Sequence, residues 1–386
     1  MRRIAKILGI LLVILAAAAL WKRDEIARLH AVLTLFEPDR IVQNFSHMDR
    51  AFHSVPIPRG DAPPLPLPAG APFALPAWAQ EWVAQRQITG LVLLQDGKLR
   101  HESYHLGTGP DDRRISWSVA KSFLSALLGT LVAEGAIDLD QPVDHYAPEL
   151  AGSAYAGATV RDVARMASGV AFDEAYLDFW SDINRMGRTL ALGGSMDGFA
   201  AGISDRAGPP GEIWRYVSID THVLGMAIRG ATGRDIVSLM SERIIQPLGL
   251  ESEPLYLTDG YAEPFVLGGL NMPTRDYARM GELFRLHGRI GNRQIVPQDW
   301  VMLSTQPQID TPPDAMGYGY QWWIPQGAEV GEFLAQGVYG QFIYVNRRAG
   351  VTIAVNAADR AFTEPGVEAQ NVATLRRLAL ALTVSD

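Results

Sequence analysis

Ser118-Val119-Ala120-Lys121 sets a hydroxyl and an amine three residues apart. On a helix that spacing puts both side chains on one face, about 5–6 Å apart at Cβ. The amine is then near enough to take the hydroxyl proton. A serine hydroxyl is a weak nucleophile until a neighbouring base activates it, and a lysine is such a base only when uncharged. Lysine is scarce in this chain: Lys6, Lys22, Lys98 and Lys121 are the only four among 34 basic residues. A guanidinium does not deprotonate in proteins, so an arginine-rich chain with lysine at 121 points to chemistry that arginine cannot do. Tyr216 follows the turn Pro209-Pro210-Gly211 and precedes Ser218 and Asp220, both candidate N-caps of a helix ending near Gly233. A phenol held there can be presented to a cleft. Ser118 and Lys121 read as a nucleophile and its base, with Tyr216 as a phenol that the fold can bring to them.

The elements that must position them follow from periodicity. Phe123, Leu124, Leu127, Leu128, Leu131 and Val132 repeat at helical spacing and Gly135 stops the run, which predicts a helix over 116–134. Its first turn carries Ser118 and Lys121. An apolar environment and a helix N-terminus both disfavour a charged lysine. Runs 91–95 and 98–106 flank Asp96-Gly97, a hairpin signal. Strands are expected at 318–324, 342–345 and 351–356, and an amphipathic helix at 367–382. Residues 138–291 read mainly as helices and loops. Strands at both ends around a helical middle predict an α+β fold, an α/β sandwich in which one antiparallel sheet is flanked by helices, with a helical insertion over 138–291.

Residues 1–25 form a separate N-terminal segment: Arg2, Arg3 and Lys6 precede an unbroken apolar run over 7–21. That is the pattern of a membrane anchor or a cleavable signal. Anchoring through residues 4–21 would keep the basic end in the cytoplasm and put the rest of the chain in the cell envelope, or outside the cell if the segment is cleaved. Residues 26–78 read as an extension with a possible helix at 26–35. Proline is dense over 56–76, an extended linker or surface strap. The main domain is expected over 79–386. The formal net charge of −8 argues against a nucleic-acid surface. The absence of cysteine excludes disulfides, a thiol nucleophile and thiolate metal sites.

Taken together, Ser118-Val119-Ala120-Lys121, Tyr216-Val217-Ser218 and Gln336-Gly337-Val338-Tyr339-Gly340 resemble the three ordered motifs of the serine β-lactamase and penicillin-binding superfamily. Met166-Ala167-Ser168-Gly169, Pro247-Leu248-Gly249-Leu250 and Gly268-Gly269-Leu270 resemble its framework. The similarity is greatest to class C-like esterases and aminohexanoate-dimer hydrolases. It implies an acyl-enzyme on Ser118, proton shuttling by Lys121 and Tyr216, and an oxyanion hole from the N–H groups of Ser118 and Val338. It also implies substrate contacts from Gln336, Gly337, Tyr339 and Ser218, and a reaction without metal or cofactor. The third motif departs from the lysine-containing form of β-lactamases and DD-peptidases, because Ala335-Gln336-Gly337 stands there. That favours hydrolysis of small esters or linear amides. A β-lactamase or DD-peptidase, and a catalytically silent membrane-bound sensor, are the alternatives.

His101-Glu102-Ser103-Tyr104-His105 matches the letters of a zinc-protease motif, but that motif works on a helix. Here it falls in a strand-like run, where four residues span about 13 Å. No G-x-S-x-G is present. Tyr318, Tyr320, Trp322 and Trp323 read as sheet packing, with a substrate-wall role secondary.

Overall fold

In a computed structural model, residues 6, 8, 12, 17, 20, 21 and 23–384 are described. The architecture is α+β. Seven antiparallel strands run in the spatial order Lys98–Tyr104, Ile88–Gln95, Val351–Ala357, Gln341–Asn346, Glu332–Gly337, Trp323–Ile324 and Gly317–Tyr318. Strands from both ends of the chain thus share one sheet. The hairpin at Asp96-Gly97 forms as its sequence predicts, with φ of 48° and 73° at the two turn residues. Paired positive φ matches the strand twist, and asparagine, aspartate and glycine tolerate it best.

Alternation along the strands divides the interior into two layers. Leu91, Leu93, Phe342, Tyr344, Ile353 and Val355 face the helices Ala77–Gln85 and Val367–Thr383. Val92, Leu94, Ile343, Val345 and Ala354 face the larger core that holds Ala120–Ala133 and Thr274–Arg285. Both faces are covered, so these strands read as near-continuous apolar runs.

Three features differ from the sequence expectation. The run at 318–324 is two short strands, Gly317–Tyr318 and Trp323–Ile324, reversed by a turn in which Gln321 has φ 64°. Tyr320 and Trp322 are buried in the larger core. The strand Glu332–Gly337 was not expected, because Glu332 and Gln336 break its apolar pattern. Tyr344 and Arg376 bind the Glu332 carboxylate, which allows it to be buried. Within 138–291, strands Leu255–Thr258 and Leu270–Met272 join His53–Pro56 and Arg114–Ile115 in a second, four-stranded sheet.

Residues ahead of the main sheet pack against it. Ile41, Phe45, Met48, Phe52 and Ile57 belong to the larger core. The proline-rich stretch is tied down by backbone bonds, among them Leu65 N–H to Gly249 O at 2.9 Å and Phe73 N–H to Arg100 O at 2.7 Å. The apolar run at 7–21 and the anchor expected over 4–21 lie largely outside the described residues. Among the described residues no helix is long and apolar enough to cross a membrane.

Candidate active site

The helix that carries Lys121 does not begin at residue 116. Trp117–Val119 form a 3-10 turn and the α-helix runs Ala120–Ala133. Trp117 has φ 43°. A bulky residue in the left-handed region costs about 1–3 kcal/mol and persists only where its surroundings impose it. The helix is fixed from behind, since Ser122 Oγ donates to Gln321 O and Ser125 Oγ to Tyr320 O, both at 2.7 Å. These bonds explain why the turn at 319–322 is buried against it.

Lys121 is 2% exposed. Its Nζ donates to Leu267 O at 2.8 Å and lies 3.2 Å from Ser118 Oγ. Burial brings its pKa down to about 7, while the charges of Glu174 and Asp220 pull the other way. A large share of this lysine is therefore uncharged amine at neutral pH. With one N–H spent on Leu267 O, the lone pair is left for the Ser118 hydroxyl.

Tyr216 stands across from this pair, with Lys121 Nζ 5.5 Å from the centre of its ring. Its loop is pinned by Arg215 N–H donating to Met166 O at 2.8 Å. The ring stacks on Trp323, centroids 5.3 Å apart. Burial raises the phenol pKa, the Glu174 charge adds to this, and hydrogen bonds with Ser118 and Ser218 offset part of it. Tyr216 is thus a proton donor at neutral pH, not a standing phenolate.

The third motif comes in from the Glu332–Gly337 strand. A Cβ at Gly337 would lie 2.7 Å from Ser116 O and 3.1 Å from Ser118 N. Only glycine permits that approach, which brings the third motif against the Ser118 backbone. The buried Gln341 braces the turn: its Nε2 donates to Val338 O at 3.2 Å and Tyr339 O at 3.1 Å.

These residues border a cleft of about 280 Å³ that Ser118 enters and that Gln336, Gly337 and Val338 line. Tyr176, Tyr216, Trp323 and Phe362 supply its aromatic walls. Ser218 and Tyr339 stand behind the residues that line the cleft. Ser218 is buried and spends its N–H and hydroxyl on Glu174, at 2.5 and 3.0 Å. Tyr339, at φ 61°, backs the Phe362 wall of the cleft, ring centroids 4.5 Å apart. It stacks on Phe36 at 5.2 Å and meets Phe45 at 5.4 Å. Phe45 also lies 5.6 Å from Trp117. Rings from the N-terminal extension therefore cover Trp117 and Tyr339, the two left-handed residues that flank Ser118 and Val338 in sequence.

Four residues of the site carry no signal in the sequence. Glu174 ties Ser218 to Tyr176, whose hydroxyl donates to it at 2.8 Å; burial raises the Glu174 pKa. Asp220 is not an N-cap. It is buried, accepts from Tyr155 OH at 2.7 Å, and burial raises its pKa to about 8. Tyr176 sits in an irregular loop, and Glu368 opens the last helix at the cleft edge. Glu174, Tyr176 and Glu368 lie far in sequence from the motif residues they meet, and Asp220, close to the second motif, is far from Lys121.

His101 and His105 both lean on Ser103, Nε2 to Oγ at 2.9 and 3.0 Å, so their rings are closer than the strand spacing suggests. Glu102 points away and pairs with Arg275 at 2.7 Å. Among the described residues there is no group of three or more potential metal ligands.

The comparisons with known proteins agree with this geometry. The beta-lactamase family model matches residues 75–376. A 6-aminohexanoate-dimer hydrolase of Paenarthrobacter ureafaciens is 29% identical over 278 residues, 68% of this chain and 70% of that one. A Bacillus anthracis protein assigned as a 6-aminohexanoate-dimer hydrolase superposes with TM-score 0.80 at 23% identity, covering 91% of this chain and 96% of its own. An octameric penicillin-binding protein homologue from Pyrococcus abyssi shares the fold at TM-score 0.59 and 19% identity, over 78% and 76% of the two chains. The ordered motifs, the sandwich that carries them and the matched family model lead to one conclusion: the chain belongs to the beta-lactamase family and is a serine hydrolase.

Proposed function

We propose that the protein cleaves small esters or linear amides through an acyl-enzyme on Ser118. The observation that carries this reading is the buried Lys121 amine, 3.2 Å from Ser118 Oγ with its pKa near 7. Lys121 takes the Ser118 proton as Oγ bonds to the substrate carbonyl carbon. The N–H groups of Ser118 and Val338 hold the oxyanion. As the carbonyl re-forms, the bond to the leaving oxygen or nitrogen breaks and that atom takes a proton through the Tyr216 phenol. The proton on Lys121 restores the phenol. Water then attacks the acyl-serine with the same groups in reverse order.

The substrate class is argued from charge. No lysine stands in Ala335-Gln336-Gly337. Arg347 donates to Phe284 O and packs on Phe333, while Arg348 pairs with Glu329. Neither arginine lines the cleft. Among the described residues that line the cleft, a substrate carboxylate finds no lysine or arginine. A lost charged partner costs about 1.5–3 kcal/mol, roughly ten- to more than a hundredfold in specificity. Side-by-side kcat/KM values for nitrophenyl butyrate, a linear anilide and nitrocefin are expected to fall in that order. Nitrocefin turnover at or above the ester rate would make the β-lactamase reading the leading one.

The base predicts a pH profile. Lysine ordinarily titrates near 10.5, and here burial lowers it to about 7. The reactive amine is therefore present above that pH and lost below it. With an uncharged ester, kcat/KM is expected to rise through about pH 7 and then level off. A limb in the ordinary lysine range would remove Lys121 from the role.

A further inference from the structure

His101, Ser103 and His105 alternate along the edge strand Lys98–Tyr104 and its exit, so their side chains leave on one side. Glu102 leaves on the other and is held by Arg275. Both imidazoles turn toward the middle residue. Nε2 of His101 lies 2.9 Å from Ser103 Oγ, and Nε2 of His105 lies 3.0 Å from it. The far nitrogen of His101, Nδ1, is 3.1 Å from Phe73 O. A carbonyl only accepts, so Nδ1 carries the proton and Nε2 presents its lone pair. An outer hydrogen bond of this kind is what orients a metal-ligating histidine. Burial holds both imidazoles below the ordinary histidine pKa, so both are uncharged at neutral pH. They line a groove of about 600 Å³ beside the helix Ala77–Gln85, and among the described residues no aspartate or glutamate lines it.

We propose that His101 and His105 together bind one late first-row divalent cation, Zn²⁺, Cu²⁺ or Ni²⁺, through their Nε2 atoms. Imidazoles without a carboxylate suit these cations and not Mg²⁺ or Ca²⁺. The cation sits on the groove side of the present Ser103 Oγ position, and the hydroxyl rotates aside. Each ring advances by about 1 Å to reach the ~2.0–2.1 Å of a metal–nitrogen bond, and His105 takes the tautomer that frees Nε2. Water fills the remaining positions. The role is structural. No residue lines both this groove and the Ser118 cleft, and Glu102, which would be the base of a helical zinc-protease motif, faces away from the cation. Through His101 and Phe73 O the cation ties the edge strand to the end of the proline-rich strap.

The test titrates the full-length protein with Cu²⁺ and follows electron paramagnetic resonance. The chain has no cysteine, so no thiolate competes for the metal. One site is expected whose nitrogen hyperfine pattern counts two imidazoles, with the copper displaced by excess Zn²⁺. His101→Gln and His105→Gln should each weaken binding at least about tenfold and leave a single imidazole in the pattern. His145→Gln and His287→Gln should leave both readouts unchanged. Saturating Zn²⁺ should raise the melting temperature of the wild type and not that of His101→Gln. Ester turnover at the wild-type rate shows that the variants are folded. A site that survives intact in both variants, or an equal thermal shift in wild type and His101→Gln, overturns the proposal. Should a variant fail to fold, the wild-type pattern decides, and fewer than two imidazoles overturns the proposal.

Discussion

Ser118→Ala is expected to abolish hydrolysis of every ester and amide that the protein accepts, and with it labelling by a fluorophosphonate. Removing the nucleophile from a serine hydrolase costs on the order of 10⁴- to 10⁶-fold in kcat, because the neighbouring base and oxyanion donors then have no covalent step to assist. The fold should persist. Ser118 is half-buried, and its deletion leaves Lys121 still bonded to Leu267 O. The melting temperature should therefore move by only a few degrees, the shift that about 1 kcal/mol produces in a chain of this size. Mass spectrometry of the labelled wild type should find the adduct on Ser118. A label that survives in the alanine variant would sink the assignment, and Ser103 would be the first alternative to inspect, because its hydroxyl lies between the imidazoles of His101 and His105.

Lys121→Arg is expected to be nearly as inactive as Lys121→Ala, with both at least about a thousandfold down in kcat/KM. The two substitutions fail differently. Arginine keeps a cation beside Glu174 and Asp220 but cannot accept the Ser118 proton. Alanine removes the base and leaves Leu267 O without its donor, a loss of about 1–3 kcal/mol of stability. Activity should thus fall together in the two variants while their melting temperatures differ. If the arginine variant keeps most of the wild-type rate, Lys121 acts through its charge alone and another group must be the base.

Much of this site is legible in the sequence because its chemistry is carried by short motifs. Ser118 and Lys121 are three residues apart, and the glycines that let the Val338 turn approach stand in one run of letters. The carboxylates around them are not legible. Glu174 and Asp220 meet Lys121 only through folding, and neither sits in a periodic pattern that would mark it. Of the fold, the hairpin at Asp96-Gly97 and the strand Val351–Ala357 follow from turn chemistry and β-branched runs. The reversal at Gln321 does not. Tyr318, Tyr320, Trp322 and Ile324 keep a strand-like alternation straight through the run, so it gives no warning that the chain turns back. The strand Glu332–Gly337 was hidden for the opposite reason, since its ends carry polar residues that meet Tyr344, Arg376 and Glu368 only in the folded chain.

The aromatic cover over Trp117 and Tyr339 bears on where the functional unit begins. The family segment starts at residue 75. Phe36 and Phe45, which hold those two left-handed residues in place, come from well before it. An expression clone trimmed to the family boundary would keep every reactive group and lose the clamp on the backbone that aims two of them. For protein engineering, the smallest active unit of this chain is expected to be longer than the family segment and to include Phe36 and Phe45. Differences in activity among relatives with other leader sequences can then originate in residues that no active-site comparison would include.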